Sequence, residues 1–471
     1  MLVCPHHVVY LSQEFLPVLD GQTLRKYVDN IVKLDLKASL ILLIDTRWET
    51  YVGSLKLNTA LFPKAKLLLE ILHNKGFKIV LTIKPYIDAS IGVPNINQLF
   101  DSGRLYAASY RRDLRSERFG TQTNTNAQVE SLIRRRSLFT FVNQTIEIGL
   151  NDKVKFPYLC RCKESKEGYC VLVDLTQPAN RVWMINNIRR SNLLTSEADG
   201  IQIGGTHPSS FYWDDHFRGG VSDLARSMFY KERLYTFTQW TGDFGYIQLA
   251  PRHCDWDSLR SIVNSVLNLS TMGFSLIHPG SVWGDLKSTS PTADQAGFKS
   301  PNRMDSIYGG GKSSEKSDEE LIIRWLQVSM FLPILQFNNI APIERHGIED
   351  LMQNLARIRK TIIVPELKKN LPFTPLISQP RPALNSTRLP LIRPVWLSQE
   401  SGETMVTEQF TIGTDILVAP ILGEGLRQRD IYLPTGFWRD ELRQTPLRGG
   451  KWLRNYPVEL NEIAWFTRAV R

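Results

Sequence analysis

Leu40-Ile41-Leu42-Leu43-Ile44-Asp45 is a run of five apolar residues closed by a carboxylate, with no alternation to provide a solvent face. Such a run reads as a β-strand buried on both sides, the pattern of a parallel sheet covered by helices. The flanks agree. Leu24 to Leu36 carries apolar residues at helical spacing, and Lys64 to Asn74 does so again before Lys75-Gly76 stops it. Phe77 to Ile83 repeats the buried-strand pattern and ends at Lys84-Pro85. Alternation of this kind predicts a parallel sheet closed by outer helices.

Cys170 to Asp174 reads as a third strand, with Pro178 to Arg190 as the helix behind it, and Gly200 to Gly205 as a fourth. Arg233 to Thr238, Tyr246 to Ala250, Phe274 to His278 and Ile334 to Phe337 bring the number to eight, interleaved with helices at Trp256 to Met272 and Asp318 to Phe331. Eight strands alternating with helices predict an α/β fold, the (β/α)8 TIM barrel. Beyond Arg388 the texture changes to short strands cut by Gly and Pro, such as Ile416 to Pro420 and Asp430 to Leu433, as in a small antiparallel β-sandwich. The expected division is residues 1–387 for the barrel, with a basic insertion at about 108–168, and 388–471 for the C-terminal β-sandwich.

Composition narrows the function classes. Of 471 residues 42% are apolar, with 11 Trp, 21 Phe and 15 Tyr, which excludes global disorder. The net charge of +10 is local: Arg104 to Glu167 holds 13 basic residues against 7 acidic ones. Arg134-Arg135-Arg136 lacks the interleaved aromatics of a stacking platform, so a solvated loop is expected and no nucleic-acid partner. Cys160, Cys162 and Cys170 have the wrong spacing for a zinc knuckle, leaving a local disulfide or plain thiols. No metal or cofactor is expected: Gly309-Gly310-Gly311-Lys312-Ser313-Ser314 has no strand leading into it, and no nucleotide fingerprint follows a strand. Asn143-Gln144-Thr145, Asn268-Leu269-Ser270 and Asn385-Ser386-Thr387 match the glycosylation acceptor pattern. Neither a signal peptide at Met1 to Tyr10 nor a run near the roughly 18 to 20 apolar residues of a spanning helix is present in the sequence.

Glu320-Leu321-Ile322-Ile323-Arg324-Trp325-Leu326-Gln327, followed by Phe331-Leu332-Pro333, closely resembles the segment before the last barrel strand of glycoside hydrolase family 31. Arg393-Pro394-Val395-Trp396, Phe410 to Pro420 and Tyr432-Leu433-Pro434-Thr435-Gly436-Phe437-Trp438 resemble that family's passage from barrel into β-sandwich. Trp48-Glu49-Thr50, Phe62-Pro63, Gly76-Phe77-Lys78 and Asp174-Leu175-Thr176-Gln177-Pro178 agree too. Gln336-Phe337 is similar to the branch of myogenesis-regulating glycosidases and SITS-binding proteins, most of the family having Arg in place of this Gln. The resemblance implies an α-glycosidase lineage and residence in the secretory pathway, membrane-associated or extracellular. Family members usually carry a further β-sandwich ahead of the barrel and this branch often a membrane anchor, so a shortened chain is expected.

Retaining glycosidases need two carboxyl groups flanking the scissile bond. The resemblance places the nucleophile at the end of the fourth strand, as Asp, any residue, a small residue, then Glu; here stand Gly204, Gly205, Thr206 and His207. The acid/base position falls shortly before Trp256, on Pro251 or His253, neither with a carboxyl group. Asp214, Asp215 and Asp243 are the weak substitutes, and Asp199 belongs near the other end of the strand. Asp45, Trp48, Lys84, Asp174, Trp283 and Gln336 stand at strand ends as substrate-binding candidates, Asp45 where many members bind the innermost sugar. Each has a structural alternative: Trp48 as core, Asp174 as a helix-start cap with Thr176, Trp283 as a loop anchor. The expectation is an impaired family member that retains binding of a carbohydrate or small anionic ligand. The alternatives are an active retaining α-glycosidase with relocated carboxylates, and a non-catalytic anion-binding or membrane-protein partner subunit.

Overall fold

The computed structural model describes residues 7–11, 21–33, 40–110, 154–162, 165, 169–191, 198–204, 215–232, 235–238, 247–249, 252–274, 277–284, 315–337, 341–370, 389–398 and 406–469. Strands β1 (His7–Leu11), β2 (Leu40–Ile44) and β3 (Phe77–Ile83) open the chain's parallel sheet. Next come β4 (Tyr86–Asp88), β5 (Ala107–Tyr110), β6 (Val154–Pro157), β7 (Leu159–Arg161) and β8 (Tyr169–Leu172), all paired antiparallel. The parallel set resumes with β9 (Gly200–Ile203), β10 (Tyr235–Thr238), β11 (Ile247–Gln248), β12 (Ile277–His278) and β13 (Leu335–Phe337). Six of these run in the order β10-β9-β3-β2-β1-β13, β11 pairs with β12, and a parallel bridge from Ser281 to Gln336 links that pair to β13.

One expectation is overturned. Cys170 to Asp174 is no parallel barrel strand: β8 lies in a three-stranded antiparallel sheet, order β4-β8-β7, that grows from the chain just after β3. Its residues are buried, and a short buried apolar run looks the same whichever way its neighbours point. The place it vacates is taken by His7–Leu11, so Gly200–Ile203 is still the fourth parallel strand in chain order. The cysteine question resolves to a disulfide between Cys162 and Cys170, with Cα atoms 5.6 Å apart. Beside it the Ser165 hydroxyl donates to Asp88 Oδ1 at 2.7 Å, tying the β7–β8 connection to the turn after β4.

Helices alternate with the parallel strands at Gly21–Lys33, Ala65–Asn74, Pro178–Arg190, Asp215–Glu232, Trp256–Thr271 and Glu315–Met330. Their apolar stripes pack on the outward face of the sheet: Leu24, Leu69, Leu72 and Met184 join Leu42, Ile79, Leu81 and Ile201 in one continuous core. The rest of the chain adds β14 (Ile392–Pro394), β15 (Phe410–Ile412), β16 (Ile416–Ala419), β17 (Gln428–Leu433), β18 (Phe437–Asp440), β19 (Thr445–Arg448), β20 (Lys451–Pro457) and β21 (Ala464–Arg468). Six of them form an antiparallel sheet, β14-β15-β16-β21-β18-β19, and β17 pairs with β20.

The helix Glu315–Met330 fastens this second unit to the first. Fully buried Arg324 donates to the carbonyls of Leu426, Glu459 and Glu462 at 3.3, 3.1 and 2.9 Å, and Gln327 Nε2 to that of Leu460 at 2.7 Å. Arg359, also fully buried, donates to the carbonyls of Met330, Leu332 and Pro333 at 2.7, 2.6 and 2.9 Å, closing the end of the same helix before β13. A carbonyl buried without a donor costs about 1–3 kcal/mol, so each guanidinium replaces several such penalties with charge-assisted bonds.

Candidate functional site

Strand register decides which side chains look into the barrel. Parallel pairing sets Gln336 beside Val8, Val8 beside Ile41, and Thr82 beside Gln202, all of one parity. The opposite parity carries Ile44, Leu81, Ile83, Ile203 and Phe337, which lie in the helix-packed core. Asp45, Lys84 and Gly204 continue the inward parity one residue past the C-terminal ends of the neighbouring strands β2, β3 and β9. In parallel barrels that face holds the chemistry, so these three positions define the mouth.

At the first position, Asp45 is 7% exposed and accepts from Arg47 N at 2.9 Å, while Arg47 Nε lies 3.1 Å from its Oδ2. Trp48 is buried, and its Nε1 donates to the Thr82 carbonyl at 2.9 Å. Glu49 follows, also buried, its Oε2 accepting from Leu55 N at 3.1 Å while Oε1 finds no hydrogen-bond partner among the described residues. Burial pushes the Glu49 carboxyl up to about 8, against the opposing pull of the Leu55, Gly53 and Ser54 amides and of Lys84.

Gly204 donates its N–H to the Ile83 carbonyl at 2.9 Å. A Cβ placed there would meet Thr82 Cγ2 at 2.9 Å, with the Ile83 carbonyl oxygen and Lys84 Cγ next at 3.9 and 4.0 Å. Thr82 Oγ1 donates to Gln202 Oε1 at 3.3 Å, both side chains being 2% exposed. Across the interior, His278 at the end of β12 accepts from Gly280 N at Nδ1, 3.0 Å away, and is fully buried. Burial lowers its pKa to about 4, against the hydrogen-bonding Gln336 amide, so the imidazole is neutral at physiological pH. Thr82, Gln202, His278 and Gln336 give this interior hydroxyl, amide and imidazole groups, all uncharged at neutral pH.

Sequence reasoning missed Thr82, Gln202 and His278. The signal was present, since Thr82 and Gln202 are polar residues inside otherwise apolar strands, where a polar group needs a partner. Asp199 lies at the far end of β9, accepting from Ile79 N at 2.8 Å and paired with His73 Nε2 at 2.8 Å. His253, expected at the acid/base position, is exposed, and Asp255 caps the next helix by accepting from Ser258 N at 2.7 Å. Trp283 is buried with a left-handed backbone, φ 70°; its Nε1 donates to the Ile322 carbonyl at 3.0 Å and its ring lies 5.8 Å from Phe337. A Cβ on the neighbouring Gly284 would stand 2.6 Å from the Arg252 carbonyl, so this turn lies directly against the His253 loop. Asp174 Oδ1 accepts from Thr176 N and Oγ1 at 3.1 and 2.5 Å, closing a turn ahead of the helix that Gln177 precedes. Asp214, Asp243, His207 and Pro251 lie outside the described residues, and Asp215 is described only as the first residue of its helix. Among the described residues no set of three His, Cys, Asp or Glu could hold a metal ion, and no helix is long and apolar enough to cross a membrane.

The chain matches the TIM-barrel domain of glycosyl hydrolase family 31 over residues 13–223 and 218–363, and that family's C-terminal domain over 388–470. It belongs to glycosyl hydrolase family 31. It is similar to the myogenesis-regulating glycosidase of Mus musculus, 26% identical over 64% of this chain and 40% of the relative. It is also similar to the SITS-binding protein of Tetronarce californica, 30% identical over 47% of this chain and 28% of the relative. The chain thus spans less than half the length of either relative. Among solved structures, a family 31 α-xylosidase from a soil metagenome, complexed with xylose, superposes with a TM-score of 0.66 at 15% identity, covering 99% of this chain and 63% of that one. A Flavobacterium johnsoniae dextranase complexed with glucose gives 0.68 at 14%, covering 99% and 52%.

Proposed function

We propose that this family 31 protein keeps a carbohydrate-recognising barrel mouth while lacking ordinary retaining hydrolysis. The supporting observation is Gly204: the residue at the end of the fourth parallel strand has no carboxyl group, and the space a Cβ would need is held by Thr82. Without a nucleophile no covalent glycosyl intermediate forms, a loss of several powers of ten in rate. Asp45, Trp48, Lys84, Asp174, Trp283 and Gln336 remain the proposed ligand-binding set, with Asp45 and Lys84 flanking the site and the neutral Gln202, His278 and Gln336 below it. Such a lining suits hydroxyl groups, and Lys84 beside an uncharged position 204 suits a ligand with a small anionic group. The C-terminal unit, from residue 388, is proposed as the β-sandwich that supports the barrel's outer side. The protein's place is proposed as the secretory pathway, where the Cys162–Cys170 disulfide is compatible with an oxidising compartment.

The test is direct. Purified protein, in a version extended by any upstream segment, is incubated with aryl α-glucosides and α-galactosides, and binding of the free sugars is followed by calorimetry. Saturable binding without turnover is expected. Turnover that disappears in Asp243→Asn, or in the matching Asp214 or Asp215 variants, would replace this reading with an active glycosidase that has moved its carboxylates.

A further inference from the structure

We infer that Thr82 and Gly204 form one coupled unit, in which the threonine methyl has closed the space that a side chain at position 204 would occupy. The inference deepens the proposed function and takes from it the identity of residue 204 as the nucleophile position. Three observations carry it.

First, the backbone of Gly204 does not lie in the left-handed region that would itself demand glycine, unlike Gly53 and Gly284 at φ 83° each. An L-residue could adopt this conformation, so space is what excludes one. Second, a Cβ built there meets one atom too closely, Thr82 Cγ2 at 2.9 Å, whereas its next neighbours, the Ile83 carbonyl and Lys84 Cγ, stand at 3.9 and 4.0 Å. Third, Thr82 cannot swing away freely. It is β-branched, 2% exposed and fixed in β3, and turning its methyl aside would carry Oγ1 away from Gln202 Oε1. The Gly204 N–H bond to Ile83, 2.9 Å long, holds the two strands in register, so backbone sliding offers no relief.

A side chain that restored a carboxylate at residue 204 alone would therefore meet the Thr82 methyl. Loss of the nucleophile and inward packing of Thr82 reinforce each other, and the floor of the mouth is a methyl group where a family enzyme of this kind needs an ionised oxygen.

The experiment is a double-mutant cycle on the full chain, read as the unfolding midpoint. Gly204→Ala is expected to lower Tm by about 3 °C. Thr82→Ser keeps the hydroxyl that bonds Gln202 and removes the methyl; Thr82→Ser/Gly204→Ala is expected within about 1 °C of Thr82→Ser. Thr82→Val keeps the bulk and loses the hydroxyl, and it is expected to leave the Gly204→Ala penalty in place. If Gly204→Ala does not fold, recovery of cooperative unfolding in the serine double variant counts for the inference. A neutral Gly204→Ala, an equal loss in the serine background, or failure of both to fold overturns it. None of these readouts depends on sugar binding, so an unliganded wild-type protein would sink the functional reading and leave the cycle intact.

Discussion

The seam between the two units and the mouth of the barrel use polar groups in opposite ways. At the seam a single buried cation, Arg324, gathers carbonyls from Leu426, Glu459 and Glu462, and Arg427 Nη1 pairs with Glu320 Oε1 at the rim at 2.5 Å. At the mouth, Gly204 follows β9 without a side chain, and the buried Thr82, Gln202, His278 and Gln336 below it are neutral. The motif Glu320 to Gln327 that makes the family recognisable belongs to the seam. That part of the family likeness therefore reports how the units are joined.

That contrast can be broken or sharpened. The largest effect is expected from Arg324→Ala, which leaves several carbonyls buried without a donor and should cost roughly 3–5 kcal/mol, seen as a lower denaturant midpoint. Sugar binding by the molecules still folded should be unchanged; a parallel loss of affinity would mean that seam and mouth are mechanically one.

Glu49→Gln addresses the mouth through pH. The folded-state pKa of Glu49 is raised to about 8 from an ordinary 4.5, so between these values the folded state holds a proton that the unfolded state has released, and stability falls as pH rises. His278 works the other way, its pKa lowered to about 4 from 6.5, so its contribution is lost as pH falls through that window. Above pH 6.5 the Glu49 slope stands clear of the His278 one, and wild type should lose on the order of 1–2 kcal/mol between pH 6.5 and 8 in urea unfolding. The glutamine variant should be flat there; an unchanged slope would place the titrating group elsewhere.

The smallest expected effect is that of Trp48→Phe, about 1 kcal/mol, for the lost bond to the Thr82 carbonyl. Unchanged sugar affinity in that variant would remove Trp48 from the proposed ligand-binding set and leave the indole to the core.

Much of this was legible in the residues. Leu40–Ile44 and Phe77–Ile83 announced buried parallel strands, and their ends led directly to Asp45 and Lys84. His7–Leu11 was overlooked because one short apolar run offers no period, and β8 was misassigned because burial carries no direction. The inward roles of Thr82, Gln202 and His278 depend on register with neighbouring strands, a relation between distant segments that no single strand expresses. Arg324 is the same case: its acceptors lie 102 to 138 residues further along the chain.

One feature of the sheet beside the mouth bears on any bench work. The covalent link between Cys162 and Cys170 spans the strand connection next to Asp88, so protein matured in a reducing cytoplasm would carry two thiols there and leave Ser165 to hold that connection by weaker bonds. Ligand measurements made on such material would describe a loosened rim, and the route of expression becomes part of the experiment's design.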